Sequence, residues 1–592
     1  MFKSALRPIL STTQALVLLA ASPVLADEAA PASEHAEPVA VSAASTNPSP
    51  VDPSYKKSDG SASGAPGLTL SAPNKAVEPD RDADAVIEEL TARVEKLERA
   101  EEERRSRAFV KGWLTGVGDV DFYSSKHRVV VGLQLFPIEQ RVSDTITNRT
   151  YYLAAVPRAS LHFGRLYMGF ELPVAFEVFN TEVDSSDADY LGGRGFDGAG
   201  AFAGFQWDEP SEFAQVIKYI RYGTKEDDFY LNVSKQSAAT VGHGTVLRRY
   251  NPNIDLDHYR VSAQVDKGFK YGGAEFYTND VLGYGVNGGL VYVKPGGMFF
   301  PDNLLARSAS VGLSYVFDRK APYLLAHPEG APDQLVSDDT NAPVVNQSAV
   351  AAVVGLDAEV KLVRQEKLDV KAYLDYSRLT HTQGDGVSAG ALVRFNVGGN
   401  KEDSRVHAFR LRAEAGAYHA QYAPGYFDMF YEIQKYQNFT GADADVVQSK
   451  LMYLEQQTGG YRLGGRFEGT YSVVGGMGVS AAYQGSMDGR DDQMLMHVEV
   501  PTGEHLRLLA TYVRNNPRDG QPLFTLENPN VLLIGKAKIR VLPFMFINGE
   551  VSQMYRLRAT DGSSESTLTA GRPAQFENVL RWVLETEVGF EF

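Results

Sequence analysis

From about Phe109 to Phe592 the chain alternates apolar and polar residues with a period of two. Arg128-Val-Val-Val-Gly-Leu-Gln-Leu135 sets Val129, Val131, Leu133 and Leu135 on one face. In 367–376, Leu368, Val370, Ala372, Leu374 and Tyr376 oppose charged residues, and 409–417 and 461–471 repeat the pattern. Successive side chains of a strand point to opposite sides, so each run predicts a strand with one apolar and one polar face. Runs of roughly ten residues suit strands that cross hydrocarbon at a tilt. A sheet in lipid satisfies its backbone only as a closed barrel. The pattern therefore predicts an all-β fold over 108–592, a transmembrane antiparallel β-barrel of about 18 strands. The stretches 181–212, 241–258, 320–347 and 423–456 do not alternate and are expected as outer loops or inward-folded constrictions.

Upstream the pattern differs. Lys3 and Arg7 precede the short apolar run 15–21, and Val24-Leu-Ala26 supplies small residues before Asp27, which predicts a signal peptide over 1–26. Residues 27–81 are rich in Ala, Pro and Ser and hold too little apolar surface to offset ordering entropy, as expected of a disordered periplasmic spacer. Ile87, Leu90, Val94 and Leu97 then fall at heptad spacing among charges, predicting an amphipathic, coiled-coil-like helix over 82–107. That helix reads either as a lone solvated element or as an oligomerisation segment that ties protomers together. Residues 27–107 also offer a route to a periplasmic or inner-membrane partner.

Composition narrows the chemistry. The chain has 592 residues, 55 Gly, 60 Tyr and Phe together, and no cysteine, which excludes disulfides, thiolate metal sites and a lipidated N-terminal cysteine. The net charge is −16, of which residues 108–592 carry −11, the opposite of a nucleic-acid footprint.

Counting back from the end, Phe592, Phe590, Val588, Thr586, Leu584, Trp582 and Leu580 share one face, opposite Glu591, Glu587, Glu585 and Arg581. The chain ends on an aromatic on the lipid side, with aromatic anchors towards both ends of the strand. In this the sequence resembles the outer-membrane porin and exporter class of Gram-negative bacteria. The resemblance implies outer-membrane lipid around the barrel and the barrel assembly machinery as reader of Trp582, Phe590 and Phe592. It singles out no one family within the class.

On the same alternation, Arg410, Arg412, Arg462, Arg466, Lys536, Lys538, Arg540, Arg556, Arg558 and Arg581 face the lumen. Rows of fixed positive charge lower the barrier to anions. The competing reading pairs them with Glu414, Glu468, Glu585 and Glu587 as a rigid polar wall. The densest polar cluster runs from Val241 to Tyr259 and holds His243, Arg248, Arg249, Tyr250, Asp255, Asp257 and His258. It reads as a constriction loop or as a self-satisfied turn network. Its spacing falls short of a calcium loop or a zinc pair, so no metal or other cofactor is assigned. No nucleophile elbow, zincin helix or phosphate loop is present, so no catalytic residues are assigned. His243 with Asp255 is the one pairing that would imitate a membrane-bound hydrolase.

The leading expectation is a pore for diffusion of small polar or anionic solutes. Export of a polysaccharide and a structural, envelope-anchoring barrel in a multiprotein complex are the alternatives.

Overall fold

The computed structural model describes residues 128–141, 147–180, 216–223, 227–560 and 571–591, with short breaks at 236–237, 257, 284, 301, 339–341, 366, 399–405, 439–445, 474–476, 501–504, 519–521 and 526–529. The expected signal peptide, spacer and helix, with Ile87, Leu90, Val94 and Leu97, lie outside the described residues, as do Asp257 and Phe592.

Among the described residues the strands are β1 (Arg128–Arg141), β2 (Thr147–Phe163), β3 (Leu166–Glu171), β4 (Val174–Asn180), β5 (Ile217–Tyr222), β6 (Phe229–Ser234), β7 (Ser262–Phe269) and β8 (Gly272–Thr278). They continue as β9 (Val286–Val293), β10 (Ser310–Leu325), β11 (Leu335–Val336), β12 (Val345–Arg364), β13 (Leu368–Leu379), β14 (Asp385–Val397), β15 (His407–His419) and β16 (Tyr461–Val473). The last are β17 (Gly478–Ser486), β18 (Gln493–Val500), β19 (Leu506–Asn515), β20 (Val531–Leu542), β21 (Met545–Ala559) and β22 (Pro573–Glu591). Short helices α1 (Pro295–Phe299) and α2 (Leu304–Ser308) join β9 to β10, and α3 (Tyr431–Gln434) and α4 (Lys450–Gln456) lie between β15 and β16.

Every neighbouring pair in the ring is antiparallel, and β22 returns to β1 in a continuous ladder from Arg128↔Glu591 to Leu135↔Leu584. This closure joins the first strand of the ring to the last. Strands β3 and β4 share one place, since β2 pairs β3 through 158–163 and β4 through 150–155. Strand β11 lies off the ring and forms a short ladder with β22. Among the described residues the ring therefore has 20 strands, close to the expected number of about 18. Six-residue strands such as β5 and β6 give three residues per face, too few for a clear period-two signal.

The expected faces hold along the wall. Val131, Leu356, Leu374, Phe467 and Ile539 point outward and are exposed, while the neighbours Val130, Asp357, Asp375 and Glu468 point inward and are buried. Leaving such side chains in water forgoes about 1.5–3 kcal/mol each, so the medium around this band is lipid. This is a membrane-spanning barrel wall.

Polar-in fails where the lumen is filled. Val316, Val353, Leu532 and Ile534 face inward and are almost fully buried, packed against segments that leave the wall after β6 and after β15. A packed plug explains the reversal, because the wall behind it meets apolar side chains.

Candidate functional site

The plug forms from two excursions, 238–260 and 420–456. The first folds back on itself: Ala239 and Tyr250 exchange backbone hydrogen bonds at 2.9 and 3.0 Å, and Val241 N–H donates to Leu247. Gly242 and Gly244 take φ values of 56° and 79° and turn the chain around His243. The two excursions then join in parallel at Leu247 and Phe427, where Arg248 N–H donates to Phe427 O at 2.9 Å and Gly425 N–H to Thr245 O at 2.9 Å. Leu247, Tyr250, Phe427 and Tyr431 are fully buried between them. A second cluster sets Ile254 and Phe430 against Tyr555 and Leu557. Leu557 lies between Arg556 and Arg558, both expected in the lumen, and is itself turned to the plug.

The hairpin tip meets the wall at His243. Its Nδ1 lies 2.8 Å from Asp375 Oδ1 on β13 and its Nε2 3.0 Å from Glu359 Oε2 on β12. The ring stacks on Tyr373 at 4.3 Å, and Arg412 donates to the His243 carbonyl at 2.5 Å. Burial works against the charged imidazole, but the hydrogen bonds to Asp375 and Glu359 win and raise it to about 9. Asp255 does not pair with His243; it takes His258 Nδ1 at 2.7 Å, so the hydrolase-like pairing does not form.

Tyr250 donates to Glu432 on α3 and accepts from Asn279 at 2.9 Å. Burial alone would raise the Glu432 carboxyl, yet Arg260, Lys435 and Tyr250 pull it down to about 2.

Below the tip, β14–β16 present a dense cationic wall. Arg394 and Arg410 sit directly opposite each other, as do Arg412 and Glu468, and Glu414 and Arg466. Arg412 reaches Glu414 at 2.8 Å, and Arg466 reaches Glu468 at 2.5 Å. The plug adds Arg249, which joins Glu468 at 2.8 Å, while Arg410 stands 3.6 Å from the same carboxylate. Three guanidinium groups therefore share one carboxylate. Burial among these cations pulls the Arg249 guanidinium down to about 10. A small cavity lies beside them, lined by Arg248, Arg249, Arg466, Gln484 and Gln493.

No family model matches the chain, and no curated protein does. Solved structures do. Acinetobacter baumannii OccAB3 is 9% identical with a TM-score of 0.25, covering 79% of this chain and 99% of its own. Pseudomonas aeruginosa OpdQ is 7% identical with a TM-score of 0.26, covering 80% and 99%. Pseudomonas putida OprB is 8% identical with a TM-score of 0.24, covering 79% and 94%.

The remaining candidates are dispersed. Lys538 pairs with Glu587 at 2.6 Å and Lys536 with Glu550 at 3.4 Å. Arg158 meets both Glu585 and Glu587, so this side of the lumen is charge-balanced, unlike β14–β16. Arg540 donates to the Pro543 carbonyl at the rim, and Arg581 lies over the Phe136 ring. Arg462 joins Asp491 and the Tyr422 carbonyl beside the second excursion. Arg556 and Arg558 sit beyond Gln553, where β21 leaves β20, and Arg558 stands 3.6 Å from Glu577. On the outer side Trp582 tilts against Tyr151 at 6.5 Å.

Two features escaped the sequence reading. Arg394 alternates in phase with the lumen face of β14, so its phase alone marked it. The carboxylates around His243 lie 116 and 132 residues further on, on strands that no spacing rule links to it.

Proposed function

We propose that this chain is an outer-membrane pore for small polar and anionic solutes, with its aperture set by the internal plug. The observation that carries this reading is the excess of cations at Glu468, which Arg249, Arg410 and Arg466 share. A fixed positive excess on a lumen wall lowers the barrier for anions in the remaining water path. The function is permeation and not turnover. Its test is reversal potential in a salt gradient across planar bilayers. Anion preference that falls when Arg410 and Arg466 are replaced by Gln supports the reading; a preference unmoved by both removes it.

The plug also supports a second reading, export of an acidic or amino polysaccharide through a barrel that opens when the excursions withdraw. Loop 238–260 is fastened to β12, β13, β16 and β21, which favours a closed resting state. Deleting 240–250 separates the two. A pore already open changes little in step size, whereas a closed exporter gains large steps.

A further inference from the structure

We propose that His243, Asp357 and Asp375 form a site for a divalent transition-metal ion of the zinc or manganese kind, which clamps the plug's tip to the barrel wall. One ligand atom from each residue lies within 4.8 Å of the others. Asp357 and Asp375 are directly opposite on β12 and β13, and both face inward. Their side chains are buried, and each keeps its Oδ2 with no hydrogen-bond partner. Two buried carboxylates side by side, each with a spare oxygen, carry more negative charge than the single His243 ring beside them offsets. An ion between them offsets the remainder.

The surroundings of His243 favour coordination through Nδ1. Glu359 accepts from the Nε2 side at 3.0 Å, the outer carboxylate that typically fixes the tautomer of a metal-bound imidazole. Lys371 donates to Glu359 at 2.5 Å and holds that carboxylate in place. Opposite Asp357, Gly312 leaves the approach open: a Cβ there would stand 3.4 Å from Asp357 Oδ2 and 2.8 Å from Leu290. On binding, the ion replaces the proton between His243 Nδ1 and Asp375 Oδ1, taking both aspartates as well, and that proton leaves to solvent. Three protein ligands leave a place for water. One nitrogen and two carboxylates suit zinc or manganese and fall short of the oxygen shell that calcium requires.

The test uses the full chain, purified in detergent, stripped with a chelator and titrated with Zn²⁺, Mn²⁺ and Ca²⁺ against a chromophoric competitor. One tightly held Zn²⁺ or Mn²⁺ per chain is expected, with Ca²⁺ at least about ten-fold weaker. Asp357→Asn and His243→Ala should each weaken binding more than ten-fold, and Glu359→Gln by about ten-fold. Added Zn²⁺ should slow amide exchange over 241–247 in the wild type and not in Asp357→Asn. Heat-modifiable gel migration checks that each variant is folded. Absence of saturable Zn²⁺ or Mn²⁺ binding by the wild type overturns the proposal, as do a calcium preference and unchanged affinity in folded Asp357→Asn and His243→Ala. The selectivity test of the pore is independent of every one of these outcomes.

Discussion

Arg249 of the plug places Nη2 2.8 Å from Glu468 Oε2 on β16, so one guanidinium both fastens the plug and adds to the charge of the wall. Removing it should do two things together. Arg249→Ala is expected to cost about 1.5–3 kcal/mol, the range for a hydrogen bond to a charged group. The cost stays in that range because Arg466 and Arg410 still neutralise Glu468. Faster amide exchange across 239–250 and larger conductance steps would register the loosened plug.

Adjacent residues of β20 should respond in opposite ways. Lys536→Gln with Lys538→Gln leaves Glu550 and Glu587 with less compensation and should shift the reversal potential towards cations. Ile539, exposed on the outer face, should leave selectivity unchanged when replaced by Lys but destabilise the barrel by roughly 2–4 kcal/mol near the midplane. Bilayer recordings and urea unfolding in detergent separate the two effects.

Acid should loosen the plug through Glu432. Its carboxyl is held at about 2 in the folded chain, below its ordinary value of 4.5. A depressed carboxyl adds stability that is fully present above pH 4.5 and is lost as pH falls towards about 2. Amide exchange around 426–436 should therefore accelerate over that window. Glu432→Gln should remove the step while lowering stability at neutral pH, because Arg260 and Lys435 lose their counter-charge.

Tyr555 is the place where the plug meets the wall's backbone and an aromatic partner at once. Its side chain is fully buried, with the Phe430 ring edge-on at 6.3 Å. Tyr555→Ala should cost about 3–5 kcal/mol, as for other buried aromatic truncations. The loss should appear as plug release at a lower denaturant concentration than barrel unfolding.

The wall was readable from sequence because lipid and lumen impose opposite chemistry on alternate residues, and Val131, Leu374 and Ile539 obey that rule individually. The plug was not. The cluster from His243 to His258 stood out as polar, but its partners Asp375, Glu432 and Glu468 are set by which strands the closed ring brings opposite the loop. The inward Val316, Val353, Leu532 and Ile534 break the alternation for the same reason: their neighbours come from elsewhere in the chain. Leu557 is buried against the plug although alternation with Arg556 and Arg558 points it outward, because period-two logic holds only while a strand stays in the wall.

That departure of β21 from the wall sets an order of events. The ladder to β20 stops at Gln553, and Tyr555 instead donates its N–H to Ile254 at 3.0 Å and accepts from Leu256 at 2.9 Å. Residues about 300 positions apart thus depend on each other for backbone hydrogen bonds, a contact of very high sequence separation that carries a loop-closure cost and forms late. The first excursion cannot complete these hydrogen bonds until the last hairpin has been made, so the seating of the plug waits on the far end of the chain.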